Sequence, residues 1–456
     1  MSRFKTDLND LTGLPSDERL RALERIIPMS LVQQVLQETG HDRRHCSRLP
    51  HWFMVYFILG LGLFPKDNYR QIFKNLQRFR RGRTPHRNTL GQARQGLGVA
   101  PIRRLVHQAV HLLSTPDNPD AFYRGLRLMA LDGFVVDLPD SPDNARVFGK
   151  PQSGRAEGAF PQARVLGLCE TGSHVMYRWM TKPCHVGEVS MAPYLLRWLE
   201  EGMLLLWDRN FLSYANLRQV LDRHAHLLAR LKSNFVFKPI KVLKDGSYLS
   251  KMYPSSYHRE KDRDGIEVRI IEYSLDDPNR PHHGETHRLL TTLLDAELYP
   301  AEELIVLYHE RWEEELTIDE LKTHQAERPV LRSQTPLGVI QEIDGLLLAH
   351  YAVRVVMFEA AAEQDLSPRR LSFTGALKIL RCRLPEVPKN PRDRAGRRRW
   401  WKDLVAEVGE EVLPERRDRV NPRVIKRKMS KWPKKRPHHL RPPQPTKTFA
   451  ESIVIT

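Results

Sequence analysis

Apolar positions recur at three- and four-residue spacing through most of the first 113 residues, the mark of helices that each bury one face. Ser16 opens SDERLRAL with Asp17 and Glu18 in its first turn; Pro28 opens MSLVQQVLQETG, which Gly40 stops. Further helices are expected over 51–63, apolar on nearly all sides, then 68–79, 88–97 and 101–113, the last two parted by Gly98. STPDNPD, residues 114–120, reads as a linker. Beyond it the period shortens to two: LRLMALDG (126–133) and FVVDLP (134–139) read as paired strands, as do ARVLGLCE and HVMYRWMT around the turn ETGS. A helix at about 187–201, the apolar strand MLLLW, a helix over 214–223, the strand HLLARLK and a β-rich stretch over 235–294 follow. Helices return at Pro300, and an apolar one over 336–363 closes the core.

This order is that of a mixed α/β core interrupted by a β-rich insertion. The expected divisions are a helical N-terminal DNA-binding domain (1–118), the core in two parts (119–232 and 297–380), the insertion (233–296), and a basic Pro/Arg/Lys-rich end (381–456).

Charge narrows the class of partner. Lys plus Arg number 73 against 55 Asp plus Glu, a net +18 over 456 residues, which favours a polyanion and nucleic acid first. Basic residues gather at Arg78, Arg80, Arg81, Arg83, Arg87, Arg94, Arg103 and Arg104, as a DNA-binding helical module would have them, though a bundle with an ordinary basic surface reads the same way. Between Arg416 and Lys447 there are 13 Lys or Arg and one acid, Asp418, too charged a stretch to fold alone. The interleaved Trp400, Trp401 and Trp432 either stack on bases or cover the core. The longest apolar run, Trp52 to Phe64, has 13 residues, short of the roughly 20 that span a bilayer. No membrane partner is expected, and MSRFKTDLND lacks a signal-peptide layout, so the expectation is a cytoplasmic protein. Cys46, Cys169, Cys184 and Cys382 are scattered without a CxxC pair, which disfavours a zinc site.

Candidate chemistry centres on YHERWEEELTIDELK, residues 308–322. On one α-helix Arg311, Glu315, Lys322 and Tyr308 would fall near 0°, 40°, 20° and 60°, within an arc of about 60°. Such a stripe is also what a solvated, charge-laced helix shows. Asp132 and Asp208 each follow an apolar strand run, a placement that suits a metal ligand and equally suits a turn. Asp137, Asp140 and Asp143 lie nearby, in what reads as a turn and on the other side of the sheet end. If Asp132, Asp208 and Glu315 converge, they would repel one another unless they shared hard divalent cations. Two Mg²⁺ ions, with Mn²⁺ able to substitute, are the established arrangement for phosphodiester chemistry. His282, His283 and His287 read as surface loop residues.

The spacing Tyr, two residues, Arg, three residues, Glu, six residues, Lys is met at Tyr308, Arg311, Glu315 and Lys322, and with ALDG at 130–133 and DRNF at 208–211 it resembles the insertion sequence four family of bacterial DDE transposases. The N-terminal block and the basic end resemble that family too, so the similarity covers almost the whole chain. The resemblance implies a ribonuclease H-like core with Asp132, Asp208 and Glu315 as catalytic metal ligands. It further implies that Tyr308, Arg311 and Lys322 hold DNA phosphates, and that a homodimer on paired ends moves its element by cut and paste through a hairpin. The partners would be double-stranded DNA, both the terminal inverted repeats and the target. In known relatives a Trp of the insertion stacks on a flipped base, whereas no Trp lies between Asp208 and Trp312. Phe235, Phe237, Tyr248, Tyr253 or Tyr257 would have to serve. Two alternatives are a metal-dependent nuclease without strand transfer and a non-catalytic DNA-binding derivative.

Overall fold

The computed structural model describes residues 20–42, 49–76, 84–153, 156–232, 235–280, 283–388, 393–414 and 444–456. The expected helix start at Ser16, Cys46, Arg78 to Arg83, His282 and the basic stretch with Trp432 lie outside the described residues. In chain order the helices are α1 (Leu20–Ile26), α2 (Met29–Glu38), α3 (His51–Leu63), α4 (Tyr69–Leu76), α5 (Arg87–Leu97), α6 (Ala100–Ala109), α7 (Pro142–Phe148), α8 (Glu188–Leu196), α9 (Tyr214–Leu221), α10 (Ser256–Glu260), α11 (Ala301–His309), α12 (Trp312–Asp319), α13 (Pro336–Glu363), α14 (Phe373–Arg383) and α15 (Arg394–Gly409). The principal strands are β1 (Leu126–Asp137), β2 (Gln162–Glu170), β3 (Val175–Pro183), β4 (Met203–Trp207), β5 (His226–Arg230), β6 (Lys241–Val242), β7 (Tyr248–Met252), β8 (Ile266–Leu275), β9 (His287–Thr291) and β10 (Ile453–Ile455). The chain is therefore a mixed α/β protein. It divides into two compact units, one of residues 1–123, 132–191 and 313–413, the other of 124–131, 192–312 and 414–456.

The first unit is organised around α13, 28 residues long and buried along most of its length. It is long and apolar enough to cross a membrane, yet 78% of its most apolar stretch is buried inside the protein. It packs on α3, where every residue but Trp52 is buried. Two glycines permit that crossing. A Cβ on Gly62 would stand 2.7 Å from the Leu346 Cα, and one on Gly345 would stand 2.9 Å from the Ile58 Cγ2. Side chains of α4, α5, α6, α14 and α15 complete this core, with Trp400 and Trp401 buried in it. The two tryptophans therefore cover the core and do not project to stack on bases. The basic C-terminal end thus begins with a packed helix, α15. Arg94, expected on a DNA-binding face, is buried and donates to Gln341 Oε1 (2.9 Å), Ser333 Oγ (2.9 Å) and the Tyr69 hydroxyl (2.6 Å). Arg104 pairs with Glu38 at 2.6 Å. Strands β2 and β3 form the antiparallel hairpin expected from their alternation, Ala163 opposite Pro183 through Glu170 opposite Val175.

In the second unit β1 runs parallel to β4, from Arg127 opposite Met203 to Leu131 opposite Trp207, and β4 runs parallel to β5. The expected β insertion continues this sheet: β9 pairs antiparallel with β5, then β8, β7 and β6 follow. The C-terminal β10 adds to the far side of β8, so the last residues are also folded. Arg269, fully buried, holds this region by bonding Ser247 Oγ (2.8 Å), the Tyr299 carbonyl (2.6 Å) and Asp245.

Two expectations are corrected. Residues 126–139 do not form a hairpin: β1 is one strand of 12 residues through Asp132 and Gly133, because Gly133 does not take the positive φ that a tight turn there would need. The loop expected at LPDSPDN contains α7, started by the Ser141 side chain accepting from the Asn144 N–H.

Asp344, buried on α13, accepts from Trp179 Nε1 at 2.8 Å, while its Oδ2 has no hydrogen-bond partner among the described residues. Burial raises its pKa to about 6. A raised carboxyl pKa favours the protonated folded state, so that stabilisation is complete below the unfolded value near 4 and is lost as pH rises through about 6. Urea titrations at pH 5 and pH 8 should show wild-type protein losing about 1.5 kcal/mol that Asp344→Asn keeps. Gly345→Ala gains about 1 kcal/mol of helix propensity but meets α3 backbone, and overpacking at about 1–3 kcal/mol decides the sign. It should lower the urea midpoint, whereas Gly91→Ala, with no side-chain or backbone atom nearer than 4.0 Å, should not.

Candidate active site

An aspartate directly follows the last registered pair of β1 with β4, Leu131 with Trp207, on each strand: Asp132 after the first and Asp208 after the second. The residues leading in, Leu128 to Leu131 and Met203 to Trp207, are all buried, which fixes the backbone on which each acid is carried. Asp132 is not at a strand end but within β1, at the point where pairing with β4 stops. Its Oδ1 accepts from the Gly133 N–H at 2.8 Å. Asp208 is half-buried and accepts from the Arg209 N–H (2.7 Å) and Asn210 Nδ2 (3.4 Å).

The motif 308–322 is not one helix. The Glu310 N–H donates to the Leu307 carbonyl at 3.0 Å and the Arg311 N–H to the Tyr308 carbonyl at 3.2 Å, so α11 closes in a tighter i to i+3 turn. A new helix, α12, starts at Trp312, and residues 320–325 are wound as a π-helix. The α-helical arc that places Tyr308, Arg311, Glu315 and Lys322 on one stripe therefore does not hold. Each break changes the angular phase that the arc assumed.

Tyr308, expected to hold a DNA phosphate, also has a contact inside the protein. Its hydroxyl donates to the Trp207 carbonyl at 3.2 Å, the residue just before Asp208. Burial raises its pKa to about 12, with Asp208 adding to the rise and Arg311 opposing it. The tyrosine thus braces the end of β4. Arg311 and Glu315 are half-buried, and Lys322 is exposed.

Around Glu315 in sequence, the acids Glu313 and Glu320 enter a buried network that no sequence periodicity announces. His174 Nε2 lies 2.7 Å from Glu313, and His174 Nδ1 lies 3.1 Å from Glu320. Glu320 also accepts from His350 Nε2 (3.0 Å) and from Arg354, whose Nε stands 3.1 Å away. Burial alone would raise the Glu320 pKa. Arg354, His174 and His350 outweigh it and hold this carboxyl well below the usual range. Beside Asp132, a Cβ on Gly133 would stand 2.8 Å from the Glu188 carboxyl carbon, and Glu188 pairs with Arg164 at 2.5 Å. The only sequence signal for these groups is that a long apolar helix carries His350 and Arg354 in its interior.

Among the stacking candidates, Phe235 and Phe237 stack on each other, ring centres 6.2 Å apart and 10° from parallel. The Tyr248 hydroxyl is held by Glu272 (2.9 Å) and the Tyr253 hydroxyl by Asp262 (2.6 Å). Tyr257 is 58% exposed with its ring edge-on to His258. His287, expected on the surface, is buried in β9 and bonds Arg230 at 3.0 Å.

As donors, Asp132, Asp208 and Glu315 offer only hard carboxylate oxygen, the chemistry that suits Mg²⁺ or Mn²⁺. Among the described residues, however, no three His, Cys, Asp or Glu side chains are gathered closely enough to hold a metal ion.

Comparisons with known proteins agree with the motif reading. Residues 17–107 match the insertion element 4 transposase N-terminal family, and residues 123–352 match the transposase DDE domain. The chain is 29% identical over 448 residues to the transposase InsG for insertion sequence element IS4 of Escherichia coli K12, covering 95% of this chain and 96% of that protein. A solved structure of piggyBac transposase in a synaptic complex with hairpin DNA is similar at a TM-score of 0.44 and 12% identity, over 88% of this chain and 87% of that one. The two family models together span most of the helical block and the acidic motifs, and the chain belongs to the IS4 family of DDE transposases, enzymes of DNA transposition.

Proposed function

We propose that this transposase moves its insertion sequence by cut and paste, using Asp132, Asp208 and Glu315 on a ribonuclease H-like core. The observation that carries the reading is the register of β1 with β4, which delivers one aspartate on each strand directly after the last residue that the two strands pair with each other. Two divalent cations held by these three carboxylates would supply activation of the attacking hydroxyl and stabilisation of the leaving oxygen. The gathering of the three acids around shared ions is part of the proposal. Arg311 would grip a phosphate bidentately, as a Lys could not, and Lys322 would add a point charge. Tyr308 supports the Asp208 backbone through the Trp207 carbonyl. For the hairpin step, the exposed Tyr257 and the Phe235–Phe237 pair remain available to meet a base, whereas Tyr248 and Tyr253 already hold carboxylates. The domain divisions given above, a homodimer on paired ends and a cytoplasmic, nucleoid-associated location belong to the same proposal.

With Mg²⁺ and duplexes carrying the element ends, Asp132→Ala, Asp208→Ala and Glu315→Gln should each lower nicking by more than about 100-fold, beyond what loss of an outer partner causes. DNA affinity should stay at wild-type level. Cleavage by any of the three at the wild-type rate would sink the assignment. Transfer of pre-cleaved ends into target DNA separates a transposase from a nuclease, and joined products are expected. Tyr308→Phe should cost about 1 kcal/mol of stability in urea unfolding with DNA affinity unchanged. A clear loss of affinity instead would return Tyr308 to the phosphate contacts.

A further inference from the structure

In the first unit, α1 and the start of α15 enclose a cavity of about 510 Å³ outside the acidic motifs. Its lining includes four arginines, Arg25, Arg394, Arg397 and Arg398, against one acid, Glu24. Arg394, Arg397, Arg398 and Trp401 are spaced i, i+3, i+4 and i+7 on α15, so one helix face presents them all. The floor is apolar and closed to base reading. Trp400 and Trp401 are buried, and their ring N–H groups already donate to the Arg383 carbonyl (3.2 Å) and to Glu359 (2.6 Å). Arg25 is fixed over this floor, 4.3 Å above the Trp401 ring and 3.2 Å from Glu359.

The rim is placed against local preference. Cations in a helix's first turns face the positive end of the dipole, and Arg394 and Arg398 are like charges at i and i+4. Each arrangement is unfavourable. No ion pair with a carboxylate offsets this for either side chain among the described residues. Both side chains are exposed at the mouth of the cavity. The helix start itself is already capped, Asp393 accepting from the Gly396 N–H at 2.7 Å, so it is the exposed Arg394 and Arg398 guanidinium groups that are left to meet an external anion. Four residues of helix separate Arg394 from Arg398 by about 6 Å along the axis, so the two forks would meet successive phosphates and not share one.

We propose that this cavity is a docking site for the phosphate backbone of duplex DNA, with Arg394 and Arg398 as its contacts beside Arg25, which is already paired with Glu359. The choice of DNA as ligand rests on the transposase reading above. The geometry adds a sequence-independent grip, since no donor in the floor is free to read base edges. The experiment is fluorescence anisotropy of the full-length protein with element-end and random duplexes over a range of salt. In Arg394→Ala/Arg398→Ala, affinity should fall on the order of tenfold for both duplexes, and the slope of log affinity against log salt should shrink by about two. Arg394→Lys/Arg398→Lys should keep most of the slope, because a point charge still displaces counterions. An alanine variant with unchanged melting temperature and unchanged slope overturns the site. So does a wild-type melting temperature raised by sodium tripolyphosphate through these arginines while duplex binding ignores them, which would make it a pocket for small polyphosphates. Wild-type protein that binds no duplex at all would instead overturn the DNA reading beneath both proposals.

Discussion

A charged group taken out of water has to find its partner inside the protein, and α13 carries Glu342, Asp344, His350 and Arg354 into the interior of the first unit. Each one fixes something else. Glu342 accepts from Arg332 (2.9 Å) and from the Ser333 N–H (3.0 Å), tying down the approach to the helix. Asp344 binds Trp179 on β3, and His350 and Arg354 bind Glu320 in the π-wound segment that follows α12. The helix is apolar enough to demand burial and polar enough to dictate what is buried beside it.

That dictation reaches the acidic motif. Glu313 and Glu320 are bound by the buried His174, His350 and Arg354, so the segment carrying Glu315 is held at both sides by interactions that do not involve Glu315 itself. Breaking such a pair by removing one partner typically costs several kcal/mol because a bare charge stays behind. In the other unit the equivalent restraint is simpler. The Tyr308 hydroxyl on the Trp207 carbonyl and the buried strands β1 and β4 leave little freedom to the backbone that carries Asp208.

Basic residues divide in the same way, by where their charge can be balanced. Arg94, Arg269 and Arg354 are structural, each surrounded by oxygen acceptors. Arg394 and Arg398 stand together on one exposed helix face, with no ion pair to a carboxylate among the described residues. Net charge pointed to a polyanion, but it could not say which arginines face it.

The sequence by itself determined the elements whose burial is one-sided or complete: the alternation of β2 and β3, the apolar runs of β4 and α3, and the bounds of α13 all follow from periods that a single face of packing imposes. It also determined the family, because the residues at 308, 311, 315 and 322 are a spacing in the chain and survive whatever the helix does. What the tertiary structure decided are contacts between distant segments. The break of the 308–322 helix and its π-wound end, the unbroken β1, Tyr308 as a brace, and Trp400 and Trp401 as core all depend on which group lies opposite. The physical reason is the same in each case. A period reports which side of an element is buried, whereas the partner of a buried hydroxyl, carboxylate or guanidinium is chosen by chain that arrives from elsewhere.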